Sequence, residues 1–165
     1  MHFSLSRERV MNRSLFASAV TALALSWSAA SVGAQQFGTA DEARAMLDRA
    51  IAALKTDEAT ALSEFNDGKN KQFRDRDLYV SCFNMSDGKF TAFPSGAMIG
   101  SDVRTFSLGE DRIGQRAYDA IQGSPEGSVV TMDFKFPKAG TDKPAAKQSL
   151  ETRIGNQGCA VAYYK

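Results

Sequence analysis

Two short stretches decide the fold of this 165-residue chain: QGCAVAYYK at residues 157–165 and DLYVSCF at residues 77–83. Both are apolar and rich in β-branched and aromatic side chains, a composition typical of β-strands. Each carries one of the two cysteines of the chain, Cys82 and Cys159. The pattern predicts two neighbouring strands with a covalent link between them, in a domain built on a sheet.

The first 34 residues have the composition of a secretory signal peptide. Basic residues up to Arg13 precede an uncharged apolar run at residues 15–27, and small residues at 32–34 fit a signal-peptidase site. The run is shorter than the roughly 20 residues that a membrane span needs. We therefore expect cleavage after Ala34 rather than a retained anchor, and a periplasmic or secreted protein. Met11 is an alternative start that keeps a working signal.

Residues 35–165 are expected to form one domain of nearly neutral charge. They contain 17 Lys plus Arg and 18 Asp plus Glu, a net charge of about −1. Without a basic excess, neither nucleic acid nor an anionic membrane surface is an expected partner.

The mature chain contains no histidine, because His2 lies in the signal. This excludes Ser-His and Cys-His nucleophiles and histidine-ligated zinc. Two cysteines cannot build a metal site alone, and in an oxidising compartment they are expected to pair. Two buried free thiols are the alternative. We expect no catalytic residue, no metal and no cofactor.

Two amphipathic helices are predicted at the start of the mature chain. Thr39 and Glu42 have the spacing of a capping box, which indicates a helix start. Apolar residues then recur every three or four positions, at Met46, Leu47, Ala50, Ile51 and Leu54. A second, shorter helix restarts near Asp57.

From Leu78 onward the apolar period changes to that of strands. The predicted strands are residues 78–83, 89–93, 128–136, 147–154 and 159–164. Residues 94–114 are long enough to cross a face of the sheet, and a short helix is expected at 114–122. This order predicts an α+β domain with an antiparallel five-stranded sheet.

Several segments resemble the single Cache domain, type 2. They are FRDRDLYV (73–80), DGKFTAFP (87–94), MIGSDV (98–103), KQS (147–149) and GCAVAYYK (158–165). Their order and spacing match over residues 39–165. Cache domains are extracytoplasmic relatives of the PAS fold, in which a cavity between the sheet and its crossing loops takes a small ligand, often a carboxylate or amino acid.

The resemblance implies a long amino-terminal helix packed on a five-stranded antiparallel sheet in the order 2-1-5-4-3. That order places the first and last strands side by side, so that Cys82 meets Cys159. Two positions depart from the family pattern. Phe93 replaces a histidine that members often carry, and Leu150 stands where a tyrosine is usual; both changes remove hydrogen-bonding groups from regions close to the family's pocket.

Five residues are candidates for ligand binding. Lys147 and Arg153, on the fourth predicted strand, are the cations best placed for a carboxylate, and solvated side chains are the alternative reading. The candidate wall residues are Phe93, Met98 and Tyr118, although residues of these types are more often plain core. Arg104 on the crossing segment is a weaker candidate.

The sequence favours a periplasmic small-molecule binding or sensing domain without catalysis, which passes any signal to a separate membrane sensor or transporter. Two alternatives stay open. One is a histidine-free acid–base enzyme using a buried Asp133, although Asp133 shares its strand face with Thr131 and Lys135, which indicates solvation. The other is a structural or interaction protein with a filled core.

Overall fold

The computed structural model describes residues 36–138 and 140–165. The predicted signal peptide, residues 1–34, lies outside this part of the chain. The helices are α1 (Ala40–Thr56), α2 (Glu58–Asn66) and α3 (Ile113–Gln122). The strands are β1 (Arg74–Asp75), β2 (Leu78–Asn84), β3 (Phe90–Ala92), β4 (Val129–Pro137), β5 (Pro144–Ile154) and β6 (Gln157–Tyr164).

Helix α1 begins where the capping box predicts. The Thr39 hydroxyl accepts a hydrogen bond from the Glu42 amide at 3.2 Å, and the Glu42 carboxylate accepts one from the Thr39 amide at 2.8 Å. Its buried side chains are Ala43, Met46, Leu47, Ala50 and Leu54. They pack against β2, β5 and β6, so α1 covers one face of the sheet. The helix stops at Thr56, because Asp57 is extended and caps α2 instead.

The main strands pair antiparallel in the spatial order β3, β2, β6, β5, β4. Numbered as the five predicted strands, this order is 2-1-5-4-3. The predicted strand count omitted β1, which pairs with the start of β2. The turn between them places Arg76 at φ 54°, and its guanidinium donates to Glu42 and to the Phe37 carbonyl. Residues distant in sequence stabilise this turn. The local sequence pattern therefore does not predict β1.

The two faces of the sheet are covered by different elements. Val80, Cys82, Cys159 and Val161 face α1 and belong to the main core. The opposite face is covered by α3 and by residues 93–112, which form the crossing segment. The second core lies between these elements and the sheet and contains Phe83, Phe90, Val103, Tyr118 and Ile121. The disulfide is confirmed: Cys82 and Cys159 lie opposite each other in register and are bonded, beneath α1.

Candidate functional site

A small cavity lies between the face of the sheet that α1 does not cover, the segment 93–112 and α3. Its volume is about 80 Å³, which is room for roughly five to eight water-sized atoms. Six phenylalanine side chains line the cavity: Phe83, Phe90, Phe93, Phe106, Phe134 and Phe136. The position agrees with the cavity that the Cache resemblance implies.

Three polar side chains of β5 line this cavity: Lys147, Ser149 and Glu151. They occupy alternate positions and therefore point to one face of the strand. Lys147 is only 4% exposed and Glu151 only 1%. The residues between and beyond them, such as Leu150 and Ile154, pack in the core beneath α1. Because both faces of β5 are covered, its polar residues are held inside the protein.

The Lys147 ammonium lies among aromatic rings. Its Nζ is 4.4 Å from the centre of the Tyr164 ring and 5.6 Å from the centres of the Tyr79 and Phe136 rings. Burial lowers the pKa of Lys147, and the charge of Asp77 partly opposes this. Burial also raises the pKa of Tyr79 to about 12. Within residues 36–138 and 140–165, no carboxylate forms an ion pair with Lys147.

Glu151 is the second buried ionisable group on the cavity wall. Its Oε1 accepts a hydrogen bond from the Ser149 hydroxyl at 2.6 Å, whereas its Oε2 is buried and has no partner among the described residues. Burial raises the pKa of Glu151; the Ser149 hydrogen bond and the Arg116 charge act in the opposite direction. An unpaired buried carboxyl oxygen is unfavourable. A ligand that donates a hydrogen bond would relieve this cost.

A larger open groove of about 760 Å³ runs along β4 and shares Phe134 and Lys147 with the cavity. Its other walls include the exposed side chains of Asp133, Lys135 and Lys165. Charges in contact with water recognise a small ligand poorly, because water screens them. We therefore assign the candidate site to the smaller cavity, whose wall carries the buried Lys147 and Glu151.

Two of the five predicted ligand-binding residues, Phe93 and Lys147, line the cavity. Met98 and Tyr118 pack in the second core instead, and the Tyr118 hydroxyl donates to the Met85 carbonyl at 2.8 Å.

The two predicted arginines are not on the cavity wall. Arg153 follows Glu151 on the same face of β5 but lies beyond the cavity. Arg104 forms an ion pair with Asp102 at 2.6 Å and lies over the Tyr118 ring. Neither is placed to share a ligand with Lys147.

Ser149 and Glu151 were not predicted as site residues, although the period of two placed them on the same strand face as Lys147. The missing information was which face encloses a cavity. The two departures from the family pattern also differ in position. Phe93 lines the cavity, but Leu150 faces α1, which corrects the expectation that both positions lie near the pocket.

Asp133 does not have the surroundings that an acid–base enzyme would require. Its side chain is 64% exposed, pairs with Lys165 at 2.7 Å and accepts a hydrogen bond from Gln148. These partners lower the pKa of Asp133, with Lys165 contributing most. The premise of a buried Asp133 is wrong. The solvated face predicted for it, with Thr131 and Lys135, is confirmed.

Two kinds of site were also sought within the described ranges. No cluster of three or more His, Cys, Asp or Glu side chains there is arranged to hold a metal ion. None of the helices in the same ranges has the length and apolar character needed to cross a membrane.

Three solved structures with a similar architecture come from chemotaxis or chemosensory proteins. A methyl-accepting chemotaxis protein from Vibrio parahaemolyticus RIMD 2210633 superposes with a TM-score of 0.58 at 14% identity, covering 75% of this chain and 86% of that one. A periplasmic sensor domain of a chemotaxis protein gives a TM-score of 0.53 at 15% identity, covering 75% and 88%. A Cache chemosensory domain, described in terms of carboxylic acid recognition, gives 0.53 at 12% identity, covering 75% and 86%.

Sequence comparison adds no relative: no family model and no curated protein matches the chain. The structural likeness instead agrees with an α+β domain in which helices pack on a mainly antiparallel sheet. The chain has the fold of a Cache-type sensor domain.

Proposed function

We propose that this protein is an extracytoplasmic binding or sensing domain for a small organic acid or amino acid, without catalytic activity. The observation that carries the proposal is Lys147, a buried cation on the wall of the smaller cavity, with no carboxylate paired to it among the described residues. A carboxylate ligand would supply the missing anion. The carboxylic acid recognition described for one structural neighbour supports the same chemistry.

The proposed binding site is limited to the cavity wall. Lys147 binds the carboxylate, while Phe93 and the other aromatic side chains surround the apolar part of the ligand. One or two charge-assisted hydrogen bonds of roughly 1.5 to 3 kcal/mol each supply at most about 6 kcal/mol, so an affinity near the roughly 8 kcal/mol of a micromolar Kd also needs burial of the apolar part of the ligand. The aromatic walls restrict the ligand to a few carbon atoms.

A thermal-shift screen of the purified protein against small carboxylates and amino acids tests this function. A ligand present at about 100 times its Kd stabilises the folded state by about 2.7 kcal/mol. That corresponds to a rise of several degrees in Tm. Failure of every carboxylate and amino acid to raise Tm would contradict the proposal and favour a filled, purely structural domain.

The export and domain boundaries are part of the same proposal. The signal peptide is removed after Ala34, residues 35–165 form a single Cache domain in the periplasm, and a separate membrane sensor or transporter receives the signal. The intact mass of the exported protein should correspond to a chain beginning at Gln35. A mass that retains residues 1–34 would contradict this. Ligand-dependent crosslinking to an integral membrane protein would test the partner.

A further inference from the structure

The cavity has a second polar end that the binding of a simple carboxylate does not use. We propose that the Ser149–Glu151 pair recognises a hydrogen-bond donor on the ligand, so that the cavity selects short linear molecules with a carboxylate at one end and an ammonium or hydroxyl group at the other. This inference rests on the proposed function, because it takes Lys147 as the carboxylate-binding end.

The burial of Glu151 is the first step. The side chain is 1% exposed and lines the cavity, and its Oε2 has no hydrogen-bond partner among the described residues. Its other oxygen is already held by the Ser149 hydroxyl at 2.6 Å, which fixes the position of the carboxyl group. In the ionised carboxylate the unpaired oxygen is a fixed acceptor that a donor completes, and a ligand ammonium would also favour this ionised form.

The separation of the two ends is the second step. Lys147 and Glu151 lie four residues apart on β5, and at about 3.3 Å per residue their Cα atoms are about 13 Å apart. Of the three aromatic rings around it, the Lys147 ammonium is closest to Tyr164, at 4.4 Å, and no ion pair joins it to Glu151 among the described residues. Lys147 therefore does not approach Glu151 as an ion-pair partner. A ligand that meets both groups is extended, with its two polar groups at opposite ends.

The walls between these ends are the third step. Phe134, Ala160 and Ala162 belong to the same lining and offer no charge to a ligand. An uncharged methylene chain suits this part of the cavity, since burying it is favourable. A polar substituent in the middle of the ligand would lose its hydration there without gaining a partner.

The test compares ligands that differ only in the terminal donor. Isothermal titration of the purified protein would use butyrate, 4-hydroxybutyrate and 4-aminobutyrate, then valerate and 5-aminovalerate, with acetate and glycine as the short pair. The terminal donor should strengthen binding by roughly 10- to 100-fold, the effect of one charge-assisted hydrogen bond. This preference should be larger for the five-carbon pair than for acetate and glycine, in which the ammonium is too close to the carboxylate to reach Glu151.

Glu151→Leu removes the acceptor while keeping an apolar side chain in a buried position. It should abolish the preference for the terminal donor, so that this variant binds valerate and 5-aminovalerate with equal affinity. Glu151→Gln keeps an amide oxygen as acceptor and should retain part of the preference. Glu110→Gln, at an exposed position outside the cavity wall, is the matched control and should behave as the parent does.

The outcomes separate this inference from the proposed function. Equal affinity of the parent for valerate and 5-aminovalerate overturns the second polar end, although carboxylate binding stands. A preference for glycine over acetate as large as that in the longer pair overturns the extended arrangement. Absence of binding by every carboxylate overturns the proposed function itself. Because the ligand comparison needs only the parent protein, it stands even if a Glu151 variant fails to fold.

Discussion

At the scale of single residues, the proposed function depends on charges that the fold buries on one strand. Lys147 lies 4.4 Å from the centre of the Tyr164 ring and has no carboxylate paired to it among the described residues. Aromatic faces stabilise a buried ammonium only in part. Such a cation interacts more strongly with an anionic ligand than a solvated lysine does, because water screens the solvated charge.

Replacing Lys147 by methionine tests this directly. Lys147→Met keeps much of the side-chain length and its packing but removes the charge. Affinity for whichever carboxylate the thermal screen identifies should fall roughly 10- to 100-fold, corresponding to about 1.5 to 3 kcal/mol. Calorimetric titration measures the change, with circular dichroism to show that the fold is kept.

Lys135→Met is the matched control, because Lys135 is an exposed lysine that lines the open groove but not the cavity. Its affinity should equal that of the parent. A loss in Lys135→Met with none in Lys147→Met would move the binding site from the cavity to the groove along β4.

At the scale of elements, the start of α1 is joined to β1 and its turn by charge. The Arg76 guanidinium donates to the Glu42 carboxylate at 2.6 Å and to the Asp75 carboxylate at 2.8 Å. The Glu42 carboxylate also accepts a hydrogen bond from the Thr39 amide in the capping box. One carboxylate thus connects the helix start to the turn that begins the sheet.

Glu42 should therefore contribute to acid sensitivity. The Arg76 hydrogen bond, followed by that of the Thr39 amide, lowers the pKa of Glu42 from 4.5 to about 2. Because the pKa is lower in the folded state than in the unfolded state, the stabilisation is fully present above about pH 4.5 and is lost as the pH falls toward 2. Glu42→Gln should make the free energy of unfolding less dependent on pH in that window, as measured by urea titrations between pH 2 and 6.

Thr39→Ser keeps the capping hydroxyl and should show the pH dependence of the parent. If the free energy of unfolding of Glu42→Gln fell as steeply with decreasing pH as that of the parent, Glu42 would not be a source of the acid sensitivity.

Helix α3 packs closely against the crossing segment at Gly114. A Cβ built at Gly114 would lie 1.8 Å from the carbonyl oxygen of Val103, so any side chain there forces the helix away from the segment that covers the cavity. Gly114→Ala should destabilise the protein by about 1 to 3 kcal/mol or more. The measurement is the midpoint of urea unfolding.

Gly123→Ala is the control for Gly114→Ala. Gly123 ends α3 with φ −76°, and a Cβ there would first meet the Asp119 carbonyl at 3.4 Å. Alanine fits this conformation, so its effect should be much smaller. Similar losses in both variants would contradict the close packing of α3 on Val103.

At the scale of the whole molecule, the disulfide joins two strands that are far apart in sequence. Cys82 and Cys159 are separated by 77 residues, and the chain between them includes the crossing segment, α3, β4 and β5. A cross-link over so long a loop stabilises the folded state mainly by restricting the unfolded chain. Its position beneath α1 also protects it from solvent.

Replacing both cysteines by serine should lower the free energy of unfolding by about 2 to 5 kcal/mol. Urea unfolding of the oxidised parent, the reduced parent and the double variant measures this loss. The reduced parent serves as the internal control, because it lacks the bond but keeps the cysteine side chains. Two free thiols per chain in the oxidised protein would contradict the disulfide.

The sequence by itself determined the elements that depend on local chemistry and strict periodicity. The Thr39 capping box, the apolar stripe of α1 and the alternation in β5 are local properties, and the structure reproduces each. These features could be predicted because each depends on side chains close together in the chain or on a period that any sheet or helix imposes. The bond between Cys82 and Cys159 was predicted on other grounds, the expected oxidising compartment and the strand order that the Cache resemblance implies, and the structure contains it.

Only the tertiary structure decided which predicted site residues meet. Tyr118 became core, whereas Phe93, which packs against the same core, also lines the cavity. The two-residue period of a strand placed Lys147, Ser149 and Glu151 on one face of β5, but it could not show that other elements cover this face. The cover over this face is formed by α3 and residues 93–112, which are distant from β5 in sequence. Burial of these polar groups is therefore a property of the assembled domain.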